Sequence, residues 1–187
     1  MSATAVVLFA HPSEENSTAG SGFADRVAQL SGVEVRRLYD LYPDFDVNIE
    51  REQAVWNAAD VIVLQHPFYW YSCPALVKEY LDVVLEYGWA YGPTGTALQG
   101  KSLQTVITAG GPAESYEPAG YNQFSIQDLL RPFEATANLC RMSYEAPLVL
   151  HSANHLGPDE KEAFAAHYEE RLLNLLARHD DTTGKAA

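Results

Sequence analysis

Three short stretches of the chain concentrate residues that could do chemistry: HPSEENSTAGSG (11–22), HPFYWYSCP (66–74) and AGGPAESYEPAGY (109–121). The first places His11, Ser17 and Thr18 just before an apolar-periodic segment. Hydroxyls and free N–H groups at a helix start suit an anion such as a phosphate, although Ser17 or Thr18 would equally serve as the cap of that helix. The second sets Phe68, Tyr69, Trp70 and Tyr71 in a row. Four adjacent aromatics on a loop call for a flat partner or an interface, unless alternate rings turn into the core. The third carries Thr108, Ala109 and the pair Gly110-Gly111, where backbone can approach a planar ring closely; an ordinary tight turn has the same composition. Tyr116, five residues on, is a candidate proton donor.

The elements between these stretches decide whether they meet. Residues 5–10 (AVVLFA) are a continuous apolar run, as in a strand buried on both faces, and 60–65 (DVIVLQ) read as another buried strand. Strands are also expected over 33–39, 102–108 and 144–151. Helical periodicity marks 18–30, 50–58, 74–87, 125–140 (with Pro132 as a kink or early break) and 158–178. In 74–87, Leu76, Val77, Tyr80, Leu81, Val84 and Leu85 share one face. Five strands alternating with five helices imply an α/β doubly wound parallel sheet, a single domain with strand order 2-1-3-4-5 over residues 1–178. Residues 179–187 read as a flexible tail. In such sheets a ligand binds beyond the carboxyl ends of the strands at the point where the order reverses. That is where the three stretches fall, and together they describe a site for flavin mononucleotide (FMN). Neither a Walker A loop nor GxGxxG is present, which disfavours an NTPase or a Rossmann dinucleotide enzyme.

The 187 residues carry 12 Lys+Arg against 25 Asp+Glu, a formal net charge of −13. That excess argues against nucleic acid and against direct docking on an anionic membrane. No stretch is long and apolar enough for a membrane span or signal peptide, so a cytoplasmic protein is expected. Cys73 and Cys140 provide no disulfide framework. Cys73, ahead of a helix, reads as a redox-sensor candidate or as an inert buried residue. His151 and His155 are four apart but lack companion ligands, and no metal site is expected.

The chain resembles the flavodoxin-like NAD(P)H:quinone reductases, and within them the ancillary subunits of bacterial glutathione-gated potassium-efflux systems. The matching segments are LYDLYPDFDVNIEREQA, VIVLQHPFYWYSCPALVKEYLDVVLEYGWAYG, GTALQGK, VITAGGPAESY and LLRPFEATANLCRM, spanning roughly 6–151. The resemblance implies tightly bound, non-covalent FMN, a homodimer, and two-electron ping-pong transfer of hydride from NAD(P)H to a quinone-type acceptor. It also implies docking on the cytoplasmic domain of a potassium/proton antiporter, hence attachment at the inner membrane through a protein partner. Carried over by position, phosphate contacts fall on His11, Ser17, Thr18, Ala19 and Gly20. Ring contacts fall on Phe68, Tyr69, Trp70 and Tyr71, and on Thr108, Ala109, Gly110 and Gly111. Two positions depart from the family pattern. Gly20 stands where an asparagine is common. A tyrosine and a histidine six residues later assist the family's flavin; Tyr116 keeps the first place, but the second is Asn122, a neutral amide that takes no proton at pH 7. Tyr116 and Asn122 are thus the catalytic candidates, and the departure at 122 keeps open a different reading: a non-catalytic flavin-binding regulatory subunit of the antiporter.

Overall fold

The computed structural model of the protein describes residues 2–17 and 19–184. Thr18 and residues 185–187 lie outside the described residues. Six strands run in chain order as β1 (Ala5–Phe9), β2 (Val33–Arg37), β3 (Val61–Pro67), β4 (Ser102–Thr108), β5 (Ser143–Tyr144) and β6 (Leu148–Leu150). Seven α-helices join them: α1 (Gly20–Val27), α2 (Leu38–Leu41), α3 (Ile49–Ala58), α4 (Ala75–Val84), α5 (Ile126–Leu129), α6 (Arg131–Leu139) and α7 (Pro158–Gly184). All pairings are parallel, in the order β2-β1-β3-β4-β5, with β6 also on β4. This is the expected doubly wound sheet.

Alternation along the strands assigns the two faces. Ala5 and Val7 of β1, with Val61 and Val63 of β3, pack beneath α1 and α7 through Phe23, Val27, Tyr168 and Leu172. Val6, Leu8, Ile62 and Leu64 point the other way, against Trp56 of α3, Leu76, Val77 and Tyr80 of α4, and Phe133 of α6. A large side chain buried this completely stabilises the fold by about 1.5–3 kcal/mol.

Several boundaries differ from the sequence-based expectation. The second strand stops at Arg37 and turns into α2, because Leu38 is drawn into the core and its carbonyl receives the Tyr42 N–H. The helix expected over 74–87 ends at Val84, and the turn beyond it passes through Gly88 at φ +89°. The helix expected over 125–140 is two helices meeting at Leu130; Pro132 lies in the first turn of α6, where its missing N–H costs no hydrogen bond. The strand expected over 144–151 is split into β5 and β6. Pro147 has no N–H to give the ladder, and the Ala146 carbonyl is taken by the Gln104 side chain at 2.7 Å.

The last helix runs six residues past Arg178, where a flexible tail was expected. Arg171 and Arg178 both reach the buried Glu145 carboxylate, and Asp180 accepts the Ala3 N–H at 2.6 Å. These contacts tie the end of α7 to the sheet.

Candidate functional site

Register aligns the strand ends that carry the loops. Phe9 of β1 faces Gln65 of β3, and Pro67 of β3 faces Thr108 of β4. The ladder then continues past the strands. Ala10 N–H donates to the Gln65 carbonyl, Phe68 N–H to Thr108 at 2.8 Å, and Ala109 N–H to Leu150 at 2.8 Å. Each loop is therefore clamped at its first residue.

Between them lies a cleft of about 450 Å³, lined by His11, Ser13, Ser17, Ala19, Gly20, Pro67, Phe68, Tyr69, Thr108, Ala109, Gly110, Ala153 and Asn154. That size and composition suit a small organic ligand. No Lys or Arg is in the lining. At the first loop the Ser13 N–H donates to His11 Nδ1 at 3.2 Å, which leaves Nε2 to face a ligand. Burial lowers the His11 pKa from its ordinary value, against smaller opposing effects of the Ser13 backbone and Glu15, so the ring is neutral at pH 7. Ser17 Oγ accepts from the Ser21 N–H at 3.1 Å and keeps its own proton to donate. Glu14, an unwelcome charge beside an anion, is paired with Arg37. The α1 N-terminus follows directly. A Cβ at position 20 would lie 3.2 Å from Ser17 Oγ and 3.4 Å from the Phe9 ring, so glycine keeps this corner open. The Gly20 carbonyl is held by the buried Gln65 side chain at 2.6 Å.

The aromatic row divides. Phe68 and Tyr69 reach the cleft, and Tyr69 meets His11 edge-on with ring centroids 6.2 Å apart. Trp70 is 92% exposed and outside the lining. Tyr71 turns back to meet Phe68 edge-on, and its hydroxyl donates to Asn122 Oδ1 at 3.2 Å. The split follows from the backbone: Trp70 and Tyr71 both have positive φ, 49° and 62°, which wheels the chain away from the cleft. Of the third loop, Thr108, Ala109 and Gly110 line the cleft. Gly111 lies behind them; a Cβ there would sit 3.2–3.3 Å from the Tyr116 ring and hydroxyl.

Tyr116 packs edge-on against Phe68 at 5.9 Å. Its pKa is raised, chiefly by burial, so it stays protonated at neutral pH and can donate. Asn122 is committed to bridging: it accepts from Tyr71, and its N–H donates to the Ser115 carbonyl at 2.9 Å. The turn carrying both residues depends on Gly120, where a Cβ would fall 2.3 Å from the Glu114 carbonyl.

Two contributions went unseen in the sequence. Ala153 and Asn154, in the turn after β6, close a fourth side of the cleft. His151 lies against Tyr116, ring centroids 5.6 Å apart. The signal that could have found them is positional, since every strand end on this side of the sheet contributes a loop. Cys73 is partly buried and burial raises its thiol pKa, which works against thiolate reactivity. Among the described residues, no three His, Cys, Asp or Glu side chains group as a metal site, and no helix is long and apolar enough to cross a membrane.

Comparison with known proteins fits this geometry. The family model described as having a flavodoxin-like fold matches residues 3–176. The chain belongs to the flavodoxin-like family. Within that family it is 45% identical to a glutathione-regulated potassium-efflux system ancillary protein, KefG, of Pectobacterium carotovorum, over 94% of this chain and 96% of the relative. It is similar to the general stress protein 14 of Treponema denticola, solved in complex with FMN, with TM-score 0.88, 36% identity, and coverage of 92% and 99% of the two chains. It is also similar to an NADPH-quinone reductase of P. pentosaceus, with TM-score 0.83, 32% identity, and coverage of 90% and 96%. This flavodoxin-like chain thus has a solved quinone-reductase relative of matching length. The expected resemblance and fold are both borne out.

Proposed function

We propose that the protein is an FMN-dependent NAD(P)H:quinone oxidoreductase, ancillary to a glutathione-regulated potassium-efflux antiporter. The observation that carries this reading is the cleft itself. It joins a cation-free set of N–H and hydroxyl donors to a slot edged by Phe68, Tyr69 and the Gly110 backbone. A phosphate group fits the first part and a flat ring the second. When bound, FMN supplies hydride acceptance from NAD(P)H and hydride delivery to a quinone-type acceptor.

The chain's own residues then bind and orient. His11 Nε2, the Ser17 hydroxyl, Thr18 and the N–H groups leading through Ala19 and Gly20 into α1 would hold the phosphate. Phe68 and Tyr69 would flank the ring, with Thr108, Ala109 and Gly110 at its polar edge and Gly111 behind them. Trp70 and Tyr71 hold the outer rim of the acceptor side. Tyr116 donates a proton at its hydroxyl, and Asn122 fixes Tyr71. In this reading the protein is a homodimer that docks on the cytoplasmic domain of the antiporter and reaches the membrane through that partner; its likeness to a potassium-efflux system ancillary protein supports the partner.

Purified protein should be yellow, or apo-protein should quench added FMN fluorescence at one site per chain. Colourless protein that takes up no FMN overturns the reading. Tyr116→Phe should lower kcat/KM for a small quinone by about tenfold or more; an unchanged value removes Tyr116 from the reaction.

One observation favours a second reading. Asn122 is tied to Tyr71 and Ser115, and its neutral amide neither gains nor loses a proton near pH 7, as a non-catalytic flavin-binding regulatory subunit would allow. Turnover with NAD(P)H and a quinone no faster than that of free FMN would favour it.

A further inference from the structure

His151 occupies a seam between two loops. The turn after β6 is laced to the Gly110–Gly111 loop by three backbone hydrogen bonds: Ala109 N–H to Leu150, Ala153 N–H to Ala109, and Ser152 N–H to Gly111, the last at 3.0 Å. Ser152 takes a positive φ of 53° to complete this lacing. The His151 side chain is thereby fixed behind the loop, outside the cleft lining, with its ring tilted 45° against Tyr116. Its Nδ1 is buried and has no hydrogen-bond partner. A buried ring nitrogen without a partner costs free energy. His66 Nε2 in the core is also without one, but of the two rings it is His151 that lies against the candidate proton donor Tyr116.

The Gly111 backbone connects the two rings. Its N–H faces the Tyr116 hydroxyl, and its carbonyl faces the His151 imidazole. Any shift of this residue moves both. The groups that bear on His151 are Tyr116 and Glu114, from the 3-10 turn Ala113–Tyr116, and the Gly111 carbonyl. Burial lowers the His151 pKa below its ordinary value, and the Gly111 carbonyl and the Glu114 charge oppose that in part. The imidazole is neutral at pH 7.

We propose that His151 is the positioning residue of Tyr116: its ring sets the tyrosine's pose, and its protonation from solvent, relayed by the Gly111 backbone, sets the tyrosine's acidity. The catalytic consequence rests on the flavin-site reading above; the coupling between the two rings does not.

The decisive measurement uses apo-protein labelled with ¹³C at tyrosine Cζ and in the histidine ring. Tyr116→Phe assigns the tyrosine signal and His151→Gln the imidazole signal. The Tyr116 signal should move between pH 7.5 and 4.5 with the same midpoint as the His151 titration, and stay still in His151→Gln. His151→Phe, which keeps a ring but no proton, should hold the pH 7.5 position and lose the step. In FMN-loaded protein, His151→Gln should lower kcat for quinone reduction about fivefold, leave the quinone KM in place, and remove the acid limb of the pH profile. A wild-type Tyr116 signal blind to the His151 titration overturns the proposal, as does a step that survives in His151→Phe. FMN uptake by the same samples is read separately: if wild-type protein takes up none, the flavin reading fails while the labelled signals still decide the coupling.

Discussion

Two polar regions of this molecule meet opposite treatment. On the face covered by α3 and α4, the Glu52 carboxylate is 0% exposed and receives Arg36, Tyr42 and Tyr80, while Trp56 Nε1 donates to the Tyr80 hydroxyl at 2.8 Å. Arg36 itself is 6% exposed and its guanidinium is held firmly charged. Every donor there has an acceptor. At the strand carboxyl ends, His11 Nε2, the Ser17 hydroxyl and the Gly110 backbone face an open cleft. The first region spends its hydrogen bonds on the fold and is closed to ligands. The second leaves them unspent, so its residues matter to binding far more than to stability.

Substitutions should separate the two regions cleanly. The largest effect is expected at Glu52. Glu52→Ala strands the buried Arg36 and two tyrosine hydroxyls, and should cost about 3–5 kcal/mol in urea unfolding. A loss below about 1 kcal/mol would mean the cluster is wet and the contrast unfounded.

Next comes His66, fully buried against Phe133, whose pKa burial pushes down to about 4. The unfolded chain binds this proton near pH 6.5 and the folded chain does not. Stability from His66 is therefore complete above pH 6.5 and is lost as pH falls toward 4, by about 3 kcal/mol. The difference between wild-type and His66→Gln unfolding curves from pH 7.5 to 4 should show this slope; parallel curves would refute it.

Gly120→Ala should act on the rim. Its Cβ would collide with the Glu114 carbonyl and reopen the turn that carries Tyr116 and Asn122. FMN affinity should fall about tenfold while stability falls by only about 1 kcal/mol. Equal losses in both would show that the loop is part of the core. Smallest of all, Trp70→Ala should leave the unfolding free energy in urea within about 0.5 kcal/mol of wild type, and a larger shift would reveal hidden packing.

The sheet was legible because its signal is local. The runs at 5–10 and 61–64 are apolar throughout, as in a strand covered on both faces. Boundaries were less legible where tertiary contacts overrode periodicity: Pro147 interrupting the edge strand, and α7 extended by Asp180 and the Arg178–Glu145 pair. At the site, loop positions followed from topology, but side-chain directions did not. Two positive φ values at Trp70 and Tyr71 decide which aromatics face the cleft, and non-glycine residues in that region leave no mark in sequence. His151 escaped notice as a partner for Tyr116 because the two meet only through the lacing of separate strand ends. The Glu52 cluster was hidden for the same reason: Arg36, Glu52 and Tyr80 are far apart in the chain.

The break at Pro147 bears on how copies of the protein behave when crowded. An open parallel sheet has two unpaired margins, each a template for another chain. On this side the margin is only two and three residues long, with a proline between, and Gln104 already occupies the Ala146 carbonyl. There is too little continuous backbone for a second sheet to zip onto. Pro147→Thr would lengthen that margin, and should shorten the lag before light scattering rises in concentrated, gently warmed solutions.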